Sequence, residues 1–234
     1  MSSPKIVVHW LDDSRAQRIL WLLEELELPY EVKIYKRTSE KLAPPELKAI
    51  HPLGKSPVVT IEEEGKPKVT LAESGAITEV LLERYGGGKL FVPPTADLQK
   101  RADFLYWLHF AEGSAMLPLM LTIIFAQVVK QVPFFLRFII NQVSAGVHQI
   151  FIQPRMKQNF ALINSTLEGK DFLVGDELTG ADAMVFFVAE GLVASKGLDK
   201  WPNVAAWYKR MQARPAFQRA EAKGGKNDLS VFLK

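Results

Sequence analysis

Residues Val69–Thr78 read VTLAESGAIT, and the organisation of the chain can be worked out from this stretch. A short β-branched and apolar run meets an acid, a hydroxyl and a glycine, then passes into ITEVLLERY, whose apolar positions recur at helical spacing. A strand therefore ends, and a helix begins, at Glu73 and Ser74. Serine ahead of an apolar run is a good helix cap, since its hydroxyl can accept from a free N–H of the first turn. One residue suffices for that. Two polar side chains there, beside free N–H groups and the positive end of a helix dipole, suit a small anion.

Upstream, KIVVHW is a short β-branched strand, and SRAQRILWLLEELEL carries Ile19, Leu22, Leu23 and Leu26 at helical spacing, with Ser14 as its cap and Pro29 beyond its end. YEVKIY alternates as a second strand, and the double proline of APPELKAIHP permits only a brief helical turn from Pro45. PVVTI and KVTLA flank EEEGKP as a hairpin, and the helix from Ser74 stops at Gly86–Gly88. The order β-α-β-α-β-β-α fills residues 1–88 as an α/β unit. Residues 89–96, with Pro93 and Pro94, read as a stiff linker. From Asp97 to the end, residues 97–234, only helical spacing appears, as in Phe104, Leu105, Leu108 and Ala111.

The composition excludes several functions. Hydrophobic residues at 48% and a net charge of +3 suit a globular chain, with no basic block of the kind that binds nucleic acid. The absence of cysteine excludes disulfides, cysteine-ligated metals and a protein thiol nucleophile. The N-terminus lacks a secretory pattern, which gives a cytoplasmic expectation. Met116–Val129 is apolar but shorter than the ~20 residues of a spanning helix, and Arg137 interrupts a second apolar run, Val132–Ile140. Both are expected to be buried, in a dimer interface or against a pocket, with attachment to an internal membrane surface as the alternative.

His9, His51, His109 and His148 are scattered without metal-ligand spacing, and Asp12 and Asp13 read as solvated loop acids. Ser14 follows a strand at the start of a helix, a place where serine serves either as cap or as catalytic hydroxyl. In HPLGKSPVVT, Pro57 directly precedes a strand. A cis Ser56–Pro57 bond would turn the backbone groups of Ser56 outward, whereas base rates favour trans.

Four motifs in order, SRAQR, HPLGKSP, LAESGAI and LVGDELTGADAMVF, resemble the glutathione S-transferase family over nearly the whole chain. The resemblance is greatest to the Gtt-type transferases of fungi and their bacterial relatives. It implies a thioredoxin-like N-terminal domain, an all-helical C-terminal domain and a homodimer, with glutathione as co-substrate and no metal. Thr179 and Asp182 match the family's helix-capping folding motif, worth ~1 kcal/mol to helix nucleation. Glu73 and Ser74 match the pair that grips the γ-glutamyl end of glutathione, and this supplies the anion for the helix start.

Ser56 matches the residue whose backbone pairs with the cysteinyl unit, and the resemblance favours the cis bond. Lys55 and Lys41 are the candidates for the glycyl carboxylate. Ser14, with Arg18 four residues on, matches the hydroxyl that donates to the glutathione sulfur. Arg15 either adds positive potential there or is solvated. Lowering a thiol pKa by about two takes ~2.7 kcal/mol, of which one hydrogen bond to a charged acceptor supplies ~1.5–3 kcal/mol.

The expected reactions are conjugation of hydrophobic electrophiles and reduction of organic hydroperoxides, since both need only the glutathione thiolate. Mixed-disulfide chemistry on the protein is excluded with cysteine. Trp10, Phe110, Ser114 and Leu117 are expected to line the electrophile pocket. The alternative is a non-catalytic member that binds apolar ligands or membranes, suggested by the long apolar region Leu121–Phe151.

Overall fold

The computed structural model describes residues 3–40, 42–88, 90 and 96–232. Lys41 and most of the expected linker, residues 89 and 91–95, lie outside the described residues.

The first unit has strands β1 (Lys5–Leu11), β2 (Glu31–Tyr35), β3 (Val58–Glu62) and β4 (Val69–Ala72) in one sheet of order β2-β1-β3-β4. β1 and β2 are parallel, with Val8 opposite Val32, and are joined by helix α1 (Ala16–Glu25). β3 and β4 are the expected antiparallel hairpin, with Val59 opposite Leu71. The double-proline segment makes one 3₁₀ turn at Pro45–Ala49, and helix α2 (Ser74–Tyr85) follows β4. The unit is thioredoxin-like, as expected.

Among the described residues seven helices follow: α3 (Leu98–Phe110), α4 (Met116–Gln131), α5 (Arg137–Val147), α6 (Gln153–Thr166), α7 (Gly180–Ala194), α8 (Pro202–Gln212) and α9 (Pro215–Gly224). α7 is the central one. Its start carries a complete capping box: the Thr179 hydroxyl accepts from Ala181 N–H at 3.2 Å, and Asp182 accepts from Thr179 N–H at 3.0 Å. The fully buried Asp182 carboxylate also accepts from Leu173 N–H and Trp207 Nε1–H. One acid thereby ties the preceding loop and α8 to the helix that begins with it.

The two halves share a core. Every residue of α1 from Ala16 to Glu24 is buried, because the helix lies between the sheet and helices α7 and α9. Trp21 packs edge-on against Phe186 of α7 and Phe217 of α9, with ring centroids 5.3 and 5.4 Å apart. At its far end Glu24 pairs with Arg219 and Lys223, and Glu25 with Arg214. α9 then ends tightly, because a Cβ on Gly224 would lie 2.3 Å from Leu20 Cδ1 and 3.0 Å from Trp10 Nε1.

α3 and α4 form one continuous helical rod, Leu98–Gln131, joined by a π-helical turn at Ala111–Ala115; a second π-helical turn, His148–Ile152, joins α5 to α6. The separate apolar run looked too short to cross a membrane, yet this rod is long and apolar enough by length and composition. Its Phe104, Trp107, Leu108 and Ala115 are nevertheless in the core. Within the single chain, the buried residues of Met116–Ile140 are Met116, Pro118 and Leu119. α5 has no buried residue, since among the described residues it packs chiefly on α4 and the turns at its own ends.

Candidate functional site

The site forms where the parallel pair β1–β2 ends. β1 delivers the chain to Asp13, in the left-handed region at φ 48°, and Ser14 follows it, buried, just before α1. Ser14 is not at the cap position, which is Arg15, but its hydroxyl accepts from Ala16 N–H at 3.2 Å. Opposite stands Ser56, whose Oγ lies 3.3 Å from Ser14 Oγ and donates to the His9 carbonyl at 2.9 Å. A hydroxyl has one proton, and that of Ser56 is committed. Ser14 is therefore the donor between the two, and its proton is the one an incoming acceptor could take over.

The Ser56–Pro57 peptide is cis. Two residues earlier Gly54 takes φ 56°, and a Cβ there would lie 2.7 Å from Lys48 Cγ, so glycine is required for this approach of Lys55 and Ser56.

The start of α2 is different from a simple cap. Its cap residue is Glu73, at φ 69°, and the Glu73 side chain makes no capping bond. Ser74 is the first helical residue and buried; its hydroxyl accepts from Arg18 Nη1 at 3.2 Å. Arg18 is 2% exposed, lies 4.9 Å over the Phe187 ring, and has Nε and Nη2 without partners. Burial pushes its pKa down, and Glu112 pulls it back up. Glu112, carried by the π-helical turn, accepts from both Arg18 Nη1 and Arg15 Nε, the latter at 2.9 Å. Burial alone would raise the Glu112 pKa, but the two guanidiniums hold it below the usual carboxylate range.

Two adjoining concavities meet here. The smaller, about 190 Å³, is walled by Glu73, Ser74, Glu112, His51 and Pro57; the larger, about 600 Å³, by Ser14, Met116, Leu119, Met120, Ile123 and Phe187 among others. Arg15, Lys55 and Ser56 belong to both walls and mark their junction. The chain's last described segment closes one side of the larger cavity with Leu229 and Phe232: Asp228 N–H donates to Asp13 Oδ1 at 2.9 Å, and Gln127 Nε2 donates to Phe232 O at 2.8 Å. Asp13 is thus a structural acceptor on the cavity wall and not merely a solvated acid.

Of the expected residues, Ser14, Lys55, Ser56, Glu73 and Ser74 come together around these concavities. Trp10, Phe110, Ser114 and Leu117 do not line the larger one. Successive strand residues face opposite ways, so Leu11 in the wall leaves Trp10 under α9. Phe110 is buried against Tyr106 and Trp107, Ser114 is exposed, and Leu117 is 48% exposed on the far face of α4. Sequence reading missed Glu112 and the tail; the one available signal was an acid beside glycine in an otherwise apolar helix. Among the described residues no cluster of His, Asp or Glu is arranged to hold a metal ion.

The family of glutathione S-transferase N-terminal domains matches residues 3–83, and that of the C-terminal domains matches residues 153–215. Glutathione S-transferase 1 of Saccharomyces cerevisiae is 34% identical over 95% of this chain and 97% of its own. Glutathione S-transferase 3 of Schizosaccharomyces pombe is 32% identical over 97% of this chain and 91% of its own. The crystal structure of a glutathione S-transferase from Actinobacillus pleuropneumoniae, 31% identical, superposes with a TM-score of 0.74 over 96% of this chain and 95% of that one. With its thioredoxin-like and helical halves meeting at this cleft, the chain belongs to the glutathione S-transferase family.

Proposed function

We propose that this chain binds glutathione in the smaller concavity and uses Ser14 to hold its sulfur as thiolate for attack on an apolar electrophile in the larger one. The observation that carries this reading is the Ser14 hydroxyl beside the junction of the two spaces, with its proton free to pass from Ser56 to a better acceptor. The γ-glutamyl carboxylate meets the Ser74 hydroxyl and the first N–H groups of α2, with Arg18 behind them. Glu73 takes the α-ammonium, Lys55 the glycyl carboxylate, and the Ser56 backbone pairs with the cysteinyl unit.

In conjugation the thiolate forms a carbon–sulfur bond, and the electron pair leaves with a departing anion or moves onto an activated double bond that is then protonated. With an organic hydroperoxide, the same thiolate attacks the distal oxygen, the alkoxide leaves and is protonated, and a second glutathione reduces the sulfenic acid to disulfide and water. The apolar wall from α4 and α7 selects hydrophobic partners for either reaction.

Assembly as a homodimer belongs to the same reading. Leu117, Ile124 and Val128 are 48%, 48% and 40% exposed and recur along one face of α4, turned away from the cavity. Sedimentation tests the assembly. A panel of electrophiles and hydroperoxides tests the chemistry. Turnover that Ser14→Ala reduces supports the enzyme; retention on immobilised glutathione with no turnover on any of them would make the chain a non-catalytic binder.

A further inference from the structure

The chain holds no cysteine, so its 6 methionines are its only sulfur, and they are unevenly placed. Met184 and Met211 are each 1% exposed in the core, and Met1 lies outside the described residues. The others, Met116, Met120 and Met156, all line the larger cavity. Met116 and Met120 share a face of α4, being one helical turn apart, and Met156 comes from α6, which packs against α4. Met120 is 36% exposed and Met156 half-buried, whereas Met116 at 5% lies deeper. A thioether leaves the wall as apolar as Leu119, Ile123 and Phe187 leave it, but unlike them it can be oxidised. Among the described wall residues there is no Cys, Trp, Tyr or His, so these methionines are the oxidisable groups of the cavity.

We propose that Met120 and Met156 accept oxygen from an apolar organic hydroperoxide seated in the larger cavity, and that the resulting sulfoxides shut the cavity to apolar partners until they are reduced. The inference rests on the reading that this cavity takes apolar hydroperoxides, and it adds a control on that site. The thioether sulfur attacks the distal hydroperoxide oxygen, the O–O bond breaks, and the departing alkoxide takes the hydroperoxide proton and leaves as alcohol. Sulfur gives up one electron pair and gains one oxygen, the peroxide is reduced by the same pair, and no further reactant is needed. A thiolate is the better nucleophile, so glutathione held at Ser14 consumes the hydroperoxide first. The methionines take the oxygen when glutathione runs short. A sulfoxide is polar, and the side chains of Leu119, Ile123 and Phe187 offer it no donor, so the altered wall holds apolar ligands less well.

The test exposes the purified full-length protein, free of glutathione, to cumene hydroperoxide and separately to hydrogen peroxide, and reads oxygen gain at each methionine by peptide mass spectrometry. Measured against free methionine with the same reagent, Met120 and Met156 should be at least ~tenfold more reactive toward cumene hydroperoxide than toward hydrogen peroxide, because only the apolar reagent concentrates in the cavity. Cumyl alcohol, the unreactive product, should slow the reaction, and Met184 and Met211 should stay unoxidised. After oxidation the Kd of cumyl alcohol should rise ~tenfold in calorimetry with glutathione affinity unchanged, and methionine sulfoxide reductase should restore it. The double variant Met120→Leu, Met156→Leu, whatever its starting Kd, should keep that value through the same treatment. Equal relative reactivity toward both reagents, no protection by cumyl alcohol, or a Kd that oxidation leaves unchanged would overturn the proposal. Glutathione should slow the oxidation and S-methylglutathione should not. Selective oxidation that glutathione fails to slow would refute the peroxide reaction proposed above while still supporting the methionine acceptors.

Discussion

On the proposed reading, replacing Ser14 with alanine removes the hydroxyl proton that passes from Ser56 to the glutathione sulfur at the junction of the two concavities. A hydrogen bond to a charged acceptor contributes ~1.5–3 kcal/mol. At about 1.4 kcal/mol per pKa unit, the bound thiol should titrate about one to two units higher in the variant. Below both pKa values the thiolate population falls by ~10–100-fold, but a more basic thiolate is a better nucleophile, with a Brønsted slope of ~0.4–0.5. The two effects partly cancel, so kcat/KM should fall only ~3–10-fold at low pH. Above both pKa values the variant should equal or exceed the wild type, so the two pH profiles should cross. Thiolate absorbance of the bound peptide against pH gives the pKa, and steady-state rates over the same range give the profile. Calorimetry should find glutathione affinity within a few-fold, because Ser74, Glu73 and Lys55 are untouched. Loss of the acceptor for Ala16 N–H adds a stability cost of ~0.5–2 kcal/mol, to be read separately in a melt. An unchanged titration, or a rate loss identical at every pH, would refute the role and leave Ser14 as a determinant of helix position only.

Glu112→Ala should destabilise the fold by ~2–4 kcal/mol in urea melts, since it leaves the buried Arg18 without its carboxylate; the partial exposure of Glu112 keeps the cost below that of a fully buried pair. Asp182→Ala should cost ~3 kcal/mol or more by the same measurement, because four donors lose their common acceptor while turnover per folded molecule stays unchanged. Glu73→Gln should weaken glutathione binding by only ~3–10-fold in calorimetry, because Glu73 is exposed and water can replace part of a charge-assisted contact. Glu190, partly buried on α7, has its pKa pushed up by burial to about 7 from 4.5. The folded state then holds the proton through a range where the unfolded chain has released it. Stability should fall as pH rises from about 4.5 to about 7, and Glu190→Gln should flatten that limb of the profile in melts taken across it.

Local rules carried the fold. Alternation in KIVVHW and YEVKIY, the Pro45 turn, the glycine stop after α2 and the Thr179–Asp182 box all act within a few residues, and each appears where the sequence puts it. Strand ends and helix starts place Ser14, Ser56 and Ser74, but it is the resemblance of the four motifs that singles them out as site residues. What the sequence hid is non-local. Arg15 reads as a solvated arginine until a carboxylate 97 positions away is brought to it. Sequence spacing followed the helical period straight through Ala111–Ala115, and a π-helical turn shifts that phase; Leu117 accordingly faces outward while Met116, Leu119 and Met120 face the cavity. Hydrophobicity argued that α5 must be covered, but it names no partner, and among the described residues α5 packs chiefly on α4 and its own flanking turns.

The π-helical turn at Ala111–Ala115 also makes the cavity wall a matter of register. One residue of an α-helix turns the chain by roughly 100°. Winding the same residues as uninterrupted α-helix would rotate everything beyond them by about that angle relative to α3, whereas deleting Gly113, whose missing side chain faces open space, would remove the residue the wide turn absorbs and leave the later faces nearly where they are. In the first case Met116, Leu119, Met120 and Ile123 would leave the wall together and a neighbouring face of α4 would replace them, while the sheet, α1 and Ser14 stayed in place. A change of this one turn from π to α would thus exchange a whole set of cavity contacts at once, which substitutions in the wall could reach only through several simultaneous steps.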